Sequence, residues 1–259
     1  MKSKLYGMFF MCIVLCLAAC GQSTEHASQS NEQANGKQHD IHIAAAASLT
    51  DVTKDLATAF NKQHKDVKVT FNYGGSGALR KQIESGANVD VFMSANTKDV
   101  DTLKTKSIVS KTYDYARNEL VLIGAQGVKH KDVTALSANE KLALGEEKTV
   151  PAGKYAATYL KDTGVYDAVK PHIVYAKDVR QVLNYVAKGH AQMGFVYATD
   201  LYASKANQSQ VEQIKTVELK EPIIYRAGVV SKSKEAQAWL TFLKSDTAQE
   251  IFKKHHFKA

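Results

Sequence analysis

The sequence predicts an α/β protein of two lobes, each a mainly parallel sheet flanked by helices. Three observations lead there. Strand-like and helix-like stretches alternate along the chain, as they do where helices cover both faces of a parallel sheet. The 259 residues are 44% hydrophobic and 23% charged, a globular balance that excludes wholesale disorder and collagen-like repeats. Beyond a polar N-terminal stretch, about 220 residues remain, which suits two lobes of roughly a hundred each.

The elements follow in order. Ile41-His42-Ile43 opens a strand. From Leu49 to Gln63, apolar residues at 49, 52, 56, 59 and 60 keep helical spacing. Val67, Val69, Phe71 and Tyr73 alternate with Lys68, Thr70 and Asn72, a half-buried strand. Gly74-Gly75 turns the chain, and Ala78 to Ser85 reads as a helix closed by Gly86. A short strand from Val89 to Met93 precedes a helix near 96–105. Leu120 to Ile123 is an apolar strand, helices follow near 153–163 and 179–188, and short strands near 173–176 and 193–197. Ile223 to Val230 is again a strand, and 235–254 reads as a helix with Ala236, Trp239, Leu240 and Leu243 on its core face. There is no internal repeat. The segments around Arg117–Leu120 and Tyr225–Gly228 are the candidate crossings. They divide the chain into 41–117 with 226–259 as one lobe and 118–225 as the other.

The N-terminus reads as an export signal. Lys2 and Lys4 give a basic start, and Met8 to Ala19 is an apolar run too short for an ordinary transmembrane helix. Leu17-Ala18-Ala19-Cys20 resembles the lipobox of bacterial lipoproteins, which implies a signal peptide over 1–19 and lipid on Cys20. Residues 21–40 contain no Val, Leu, Ile or aromatic residue and read as a flexible tether, so the folded part begins near Ile41. All three cysteines lie within the first 20 residues, which excludes a disulfide scaffold and a cysteine-ligated zinc domain. The formal charge of +8 raises nucleic-acid binding as a possibility. The lysines are scattered without aromatic partners, however, so no nucleic-acid partner is expected. Cleavage would remove Lys2 and Lys4 and leave about +6.

The chemistry gathers at helix starts. Ser48 stands before the first helix with Asp51 three residues on, and Ser76 before the second. Pro151-Ala152-Gly153 stands before the third, and Asp178-Val179 opens the fourth. In open α/β folds such starts follow the C-terminal ends of strands, where ligands bind. A helix N-terminus offers unpaired N–H donors and a positive dipole end, so several converging on one cleft would hold an anion. Each start also has a plain structural use: Ser48 with Asp51 looks like a capping box, and Asp178 like an N-cap.

Six stretches carry a family resemblance. Ala45-Ala46-Ala47-Ser48-Leu49-Thr50, the run from Gly75-Ser76-Gly77 to Gly86, and Val89-Asp90-Val91-Phe92-Met93-Ser94-Ala95 resemble the first half of the molybdate-binding (ModA) family of ABC importers. Val150-Pro151-Ala152-Gly153-Lys154-Tyr155-Ala156, Asp178-Val179-Arg180 and Gly194-Phe195-Val196-Tyr197 resemble its second half. The resemblance implies a two-lobed periplasmic-binding-protein fold, class II type, closing on one tetrahedral oxyanion in the cleft. It implies hydroxyl donors at Ser48, Ser76 and Tyr197, backbone amides at Ala152 and Val179, and no direct protein ligand to molybdenum. It also implies a monomer without a cofactor, delivering its cargo to an ABC permease driven by an ATPase. Gly75-Ser76-Gly77 departs from the serine-richer loop of many family members, so the donor count there is open.

Molybdate near neutrality is a fully deprotonated dianion, for which a donor-only site suffices; tungstate has nearly the same shape and charge. Phosphate keeps a proton that calls for an acceptor, and Asp51 and Asp178, read as caps, would not supply one. Sulfate needs donors only and would be separated by cavity size. Arg180 is expected either to bridge the cleft or to touch the ligand. One rival reading is a serine hydrolase: Gly74-Gly75-Ser76-Gly77-Ala78 nearly matches a nucleophile elbow, with Asp200 and His255 or His256 as partners. His255-His256 is also the one close histidine pair, too little for a metal site, and no GK[ST] follows the glycines to make a phosphate loop.

Overall fold

The computed structural model describes residues 39–203 and 209–258. The expected signal peptide, Cys20 and the expected tether up to residue 38 lie outside the described residues. The first strand opens slightly before Ile41, at His39.

The strands in chain order are β1 (His39–Ala46), β2 (Val67–Gly74), β3 (Val91–Ser94), β4 (Thr112–Asn118), β5 (Leu120–Ala125), β6 (Leu142–Gly145), β7 (Ile173–Ala176), β8 (Met193–Tyr197), β9 (Val211–Thr216) and β10 (Ile223–Val229). The helices are α1 (Val52–Gln63), α2 (Ser76–Glu84), α3 (Thr97–Thr105), α4 (Pro151–Asp162), α5 (Tyr166–Val169), α6 (Val179–Ala187), α7 (Lys234–Phe242) and α8 (Asp246–Lys254).

Two five-stranded sheets result, ordered β2-β1-β3-β10-β4 and β7-β6-β8-β5-β9. Each has a parallel half and an antiparallel half. β2, β1 and β3 are parallel, as are β7, β6 and β8; β10 runs against β3 and β4, and β5 against β8 and β9. The sheets are therefore mixed, where a mainly parallel arrangement was expected. The reason is connectivity: only Glu119 separates β4 from β5, and the chain returns from β9 to β10 without a helical crossover among the described elements. The parallel halves, joined through helices, keep their strand C-terminal ends at the cleft.

β4, β6 and β9 have no counterpart in the sequence reading. β6 is four residues long and buried on both faces, too short to show a period. β4 and β9 carry charged residues among few apolar ones. The expected helix over 235–254 is two helices. Ser233 caps one through Ala236 N–H (3.0 Å) and Ser245 caps the next through Ala248 N–H (3.3 Å), so the chain breaks at Leu243–Ser245. Trp239 is fully buried, edge-on to Phe60 with ring centroids 5.1 Å apart, and its indole N–H points to Met93 Sδ at 3.4 Å. It is a core residue, as its helical face indicates.

Candidate functional site

Ser48, Ser76, Ala152, Val179 and Tyr197 line one cavity. All are buried, with exposures between 0% and 4%. The fold brings them together because each follows, or ends, a strand of a parallel half. Ser48 lies in a short 3-10 turn after β1, and Ser76 is the first residue of α2 after β2. Ala152 lies in the first turn of α4, Val179 opens α6 after β7, and Tyr197 ends β8. The cavity has a volume of about 190 Å³.

Each donor has a free proton to offer. The Ser76 hydroxyl accepts from Ala95 N–H at 3.0 Å and donates to no acceptor among the described residues, so its own hydrogen is available. The amides of Ala152 and Val179 sit in first helical turns, where no intrahelical acceptor exists, and have no partner among the described residues. The Tyr197 hydroxyl is buried beside Tyr225, ring centroids 5.7 Å apart, and has no hydrogen-bond partner among the described residues. Burial holds its pKa well above the ordinary tyrosine value, so it remains a donor.

Ser48 belongs to a short chain of hydrogen bonds that the sequence did not reveal. Its Oγ lies 2.9 Å from Tyr225 Oη. Tyr225 Oη accepts from Asn118 Nδ2 at 3.3 Å, and the same Nδ2 donates to Thr199 Oγ1 at 2.9 Å. Asn118 Oδ1 accepts from Glu119 N–H at 2.9 Å, which fixes the amide's orientation. Either hydroxyl can be the donor in the Ser48–Tyr225 bond; with Tyr225 donating, the Ser48 hydrogen is free to turn to the cavity. Burial, then the charge of Asp200, raise the Tyr225 pKa above the ordinary range. Asn118, Thr199 and Tyr225 are far apart in sequence. The one available signal was the alternation Ile223, Tyr225, Ala227, Val229, which marks Tyr225 as inward.

No Lys, Arg, Asp or Glu lines the cavity. Asp178 caps α6 through Gln181 N–H at 2.9 Å, as its position suggests. Asp51 makes no capping bond. Its carboxylate instead meets Arg180 Nη1 at 2.8 Å and Lys54 at 3.3 Å, because Arg180 arrives from the other lobe and outcompetes a backbone amide. Ser48 likewise forms no capping box, its hydroxyl being held by Tyr225.

Arg180 bridges the cleft and does not line the cavity. Its Nε lies 2.7 Å from Asp200 Oδ1, and its Nη2 donates to Ser48 O at 3.2 Å. Burial alone would pull the Arg180 pKa down; Asp200 and Asp51 hold it above its ordinary value. Arg80 is held by Glu84 at 2.7 Å and Asp99 at 2.8 Å.

Gly75-Ser76-Gly77 has a structural reason. A Cβ at Gly75 would stand 2.7 Å from Thr149 O and 2.9 Å from Lys177 O, and one at Gly77 2.9 Å from Thr149 Cα. Gly77 N–H donates to Thr149 O at 2.9 Å. The glycines let the backbones of the two lobes meet over Ser76.

The parts of a hydrolase triad are engaged elsewhere. His255 Nε2 contacts Asp55 at 3.0 Å, and His256 stacks on Tyr202 with centroids 3.6 Å apart. Asp200 holds Arg180 and accepts from Tyr197 N–H at 3.0 Å. No described helix is long and apolar enough to cross a membrane.

The sequence profile of bacterial extracellular solute-binding proteins matches residues 41–258. YvgL of Bacillus subtilis (strain 168), named an ABC transporter substrate-binding lipoprotein, is 36% identical over 99% of both chains. The molybdate-binding protein ModA of Escherichia coli (strain K12) is 35% identical over 84% of this chain and 88% of its own. The periplasmic molybdate-binding protein of Azotobacter vinelandii has the same two-lobed fold (TM-score 0.73, 24% identity, covering 85% of this chain and 99% of that one). So has the sulfate-binding protein SubI of Mycobacterium tuberculosis (TM-score 0.72, 18% identity, 85% and 86% covered), so the fold by itself does not choose the anion.

Proposed function

The chain belongs to the bacterial extracellular solute-binding protein family, and on that footing we propose that it captures molybdate, and with it tungstate, for an ABC importer. The observation that carries this reading is the buried, unpartnered hydroxyl of Tyr197 in a cavity whose other polar groups are also donors. A dianion without protons matches such a lining, since every oxygen can accept and none must donate. Helix starts from both lobes supply partial positive charge without a solvated cation. The 35% identity to ModA of Escherichia coli supports molybdate over other anions of this shape. Phosphate is disfavoured, because no carboxylate lines the cavity to take its proton.

In this reading the protein is a non-enzymatic carrier working as a monomer. The Cys20 lipid anchors it outside the cell membrane, and it docks on a permease with its ATPase. The groups that would hold the anion are buried, so loading has the lobes part and reclose, with hinges where β4 meets β5 and where β9 leads to β10.

A thermal-shift panel tests the proposal. Molybdate or tungstate at about 100 times its Kd adds roughly 2.7 kcal/mol of stability. Phosphate leaves the melting temperature unchanged. A shift with phosphate alone, or with sulfate far more than molybdate, rejects the assignment.

A further inference from the structure

Beside the buried cavity lies a wider one of about 340 Å³, which shares Val150 and Pro151 with it as a wall. Lys98, in the first turn of α3, reaches it from one lobe. Lys148 and Lys154, just before and within α4, reach it from the other. Arg80 lines it too, but Glu84 and Asp99 occupy its guanidinium. Among the described residues none of the three lysines has a carboxylate at ion-pair distance; the two carboxylates that also line the cavity, Asp99 and Glu147, are paired with Arg80 and Lys161. Lys98 and Lys154 face the same cavity from opposite sides of the cleft. Burial, and then the charge of Lys98, lower the Lys154 pKa, as crowding by a like charge does. An anion between the two groups relieves that repulsion.

We propose that Lys98, Lys148 and Lys154 form an outer anion site that draws the tetrahedral oxyanion from solution to the cleft, so that it settles on the neutral donors beyond Val150 and Pro151 as the lobes close. The inference rests on the oxyanion reading of the buried cavity and extends it to the way in. The two sites divide the work by their physics. Solvated ammonium groups attract a dianion from a distance but hold it weakly, because water and salt screen them. Fixed neutral donors attract little at a distance but hold a dehydrated anion well. Outer capture therefore governs the rate of association, and inner donors govern retention.

The test is the association rate of molybdate by stopped-flow, with dissociation followed by chasing with tungstate. The full chain is compared with a K98Q/K148Q/K154Q variant and with K62Q/K188Q/K253Q, which removes the same charge from exposed positions that do not line the cavity. At an ionic strength of about 0.01 M, where screening reaches about 30 Å, the first variant associates about tenfold more slowly than the parent. The control loses much less. At about 0.15 M the parent slows and the first variant hardly changes. Dissociation is the same in all three. Equal association rates, an equal loss in the control, or unchanged association with slower dissociation each overturn the outer site. These outcomes require that molybdate binds; a parent chain that shows no equilibrium binding of molybdate or tungstate rejects the function itself.

Discussion

At the scale of single residues, the site turns on which hydroxyl hydrogens are free. Tyr197→Phe removes a donor that has no protein partner, so the fold loses nothing it relies on. Affinity for molybdate, measured by calorimetry, should fall by about 1.5–3 kcal/mol, the scale of a hydrogen bond to a charged group, with little change in melting temperature. Ser48 and Tyr225 act as one unit, since Tyr225 orients the Ser48 hydroxyl. Ser48→Ala and Tyr225→Phe should each weaken binding, and the double variant should be no worse than Ser48→Ala; additive losses would mean that the two act separately. Burial raises the Tyr197 and Tyr225 pKa values above the ordinary value of 10.0, so both remain donors while the chain is folded. The sign for stability follows: an unfolded chain gives up these protons first, so stability is intact below about pH 10 and declines as pH rises further. Melting curves against pH check this, and affinity should be flat up to the pH at which the fold begins to loosen.

At the scale of elements, close approach of backbones decides what can be changed. A Cβ at Gly153 would overlap the Gly145 carbonyl, so α4 rests on β6 only because both positions are glycine. Gly153→Ala should lower the melting temperature of the unliganded chain through overpacking, by about 1–3 kcal/mol. Gly75→Ala should behave differently. Its obstructing neighbours, Thr149 O and Lys177 O, belong to the other lobe, so affinity should drop while unliganded stability holds. The sequence made the site's helix starts legible, because Pro151, the Gly74-Gly75 turn and Asp178 are local signals read within a few residues. It did not make β4, β6 and β9 legible, because short strands buried on both faces or diluted by charges carry no period. The Asn118–Tyr225–Ser48 chain was hidden for another reason: its members meet only in the assembled sheet, Asn118 and Tyr225 lying 107 positions apart and Ser48 and Tyr225 177. Asp51 was misread as a cap because the competitor for its carboxylate, Arg180, lies 129 positions away.

At the scale of the whole molecule, the Arg180 cluster joins the lobes while the donors wait beneath it. Asp200 is fully buried and paired with Arg180, so Asp200→Asn leaves a guanidinium short of its counter-charge. A loss of about 3–5 kcal/mol in unfolding free energy is expected, read by denaturant titration; a loss below about 1 kcal/mol would show that Asp51 alone suffices. The five residues of the site are all buried. On the oxyanion reading, cargo held among them would leave only as the jaws swing apart, and the time it stays aboard would follow from how often they do. A downstream receiver that wedges them apart would obtain the ion without ever having to bind it more tightly than its carrier does.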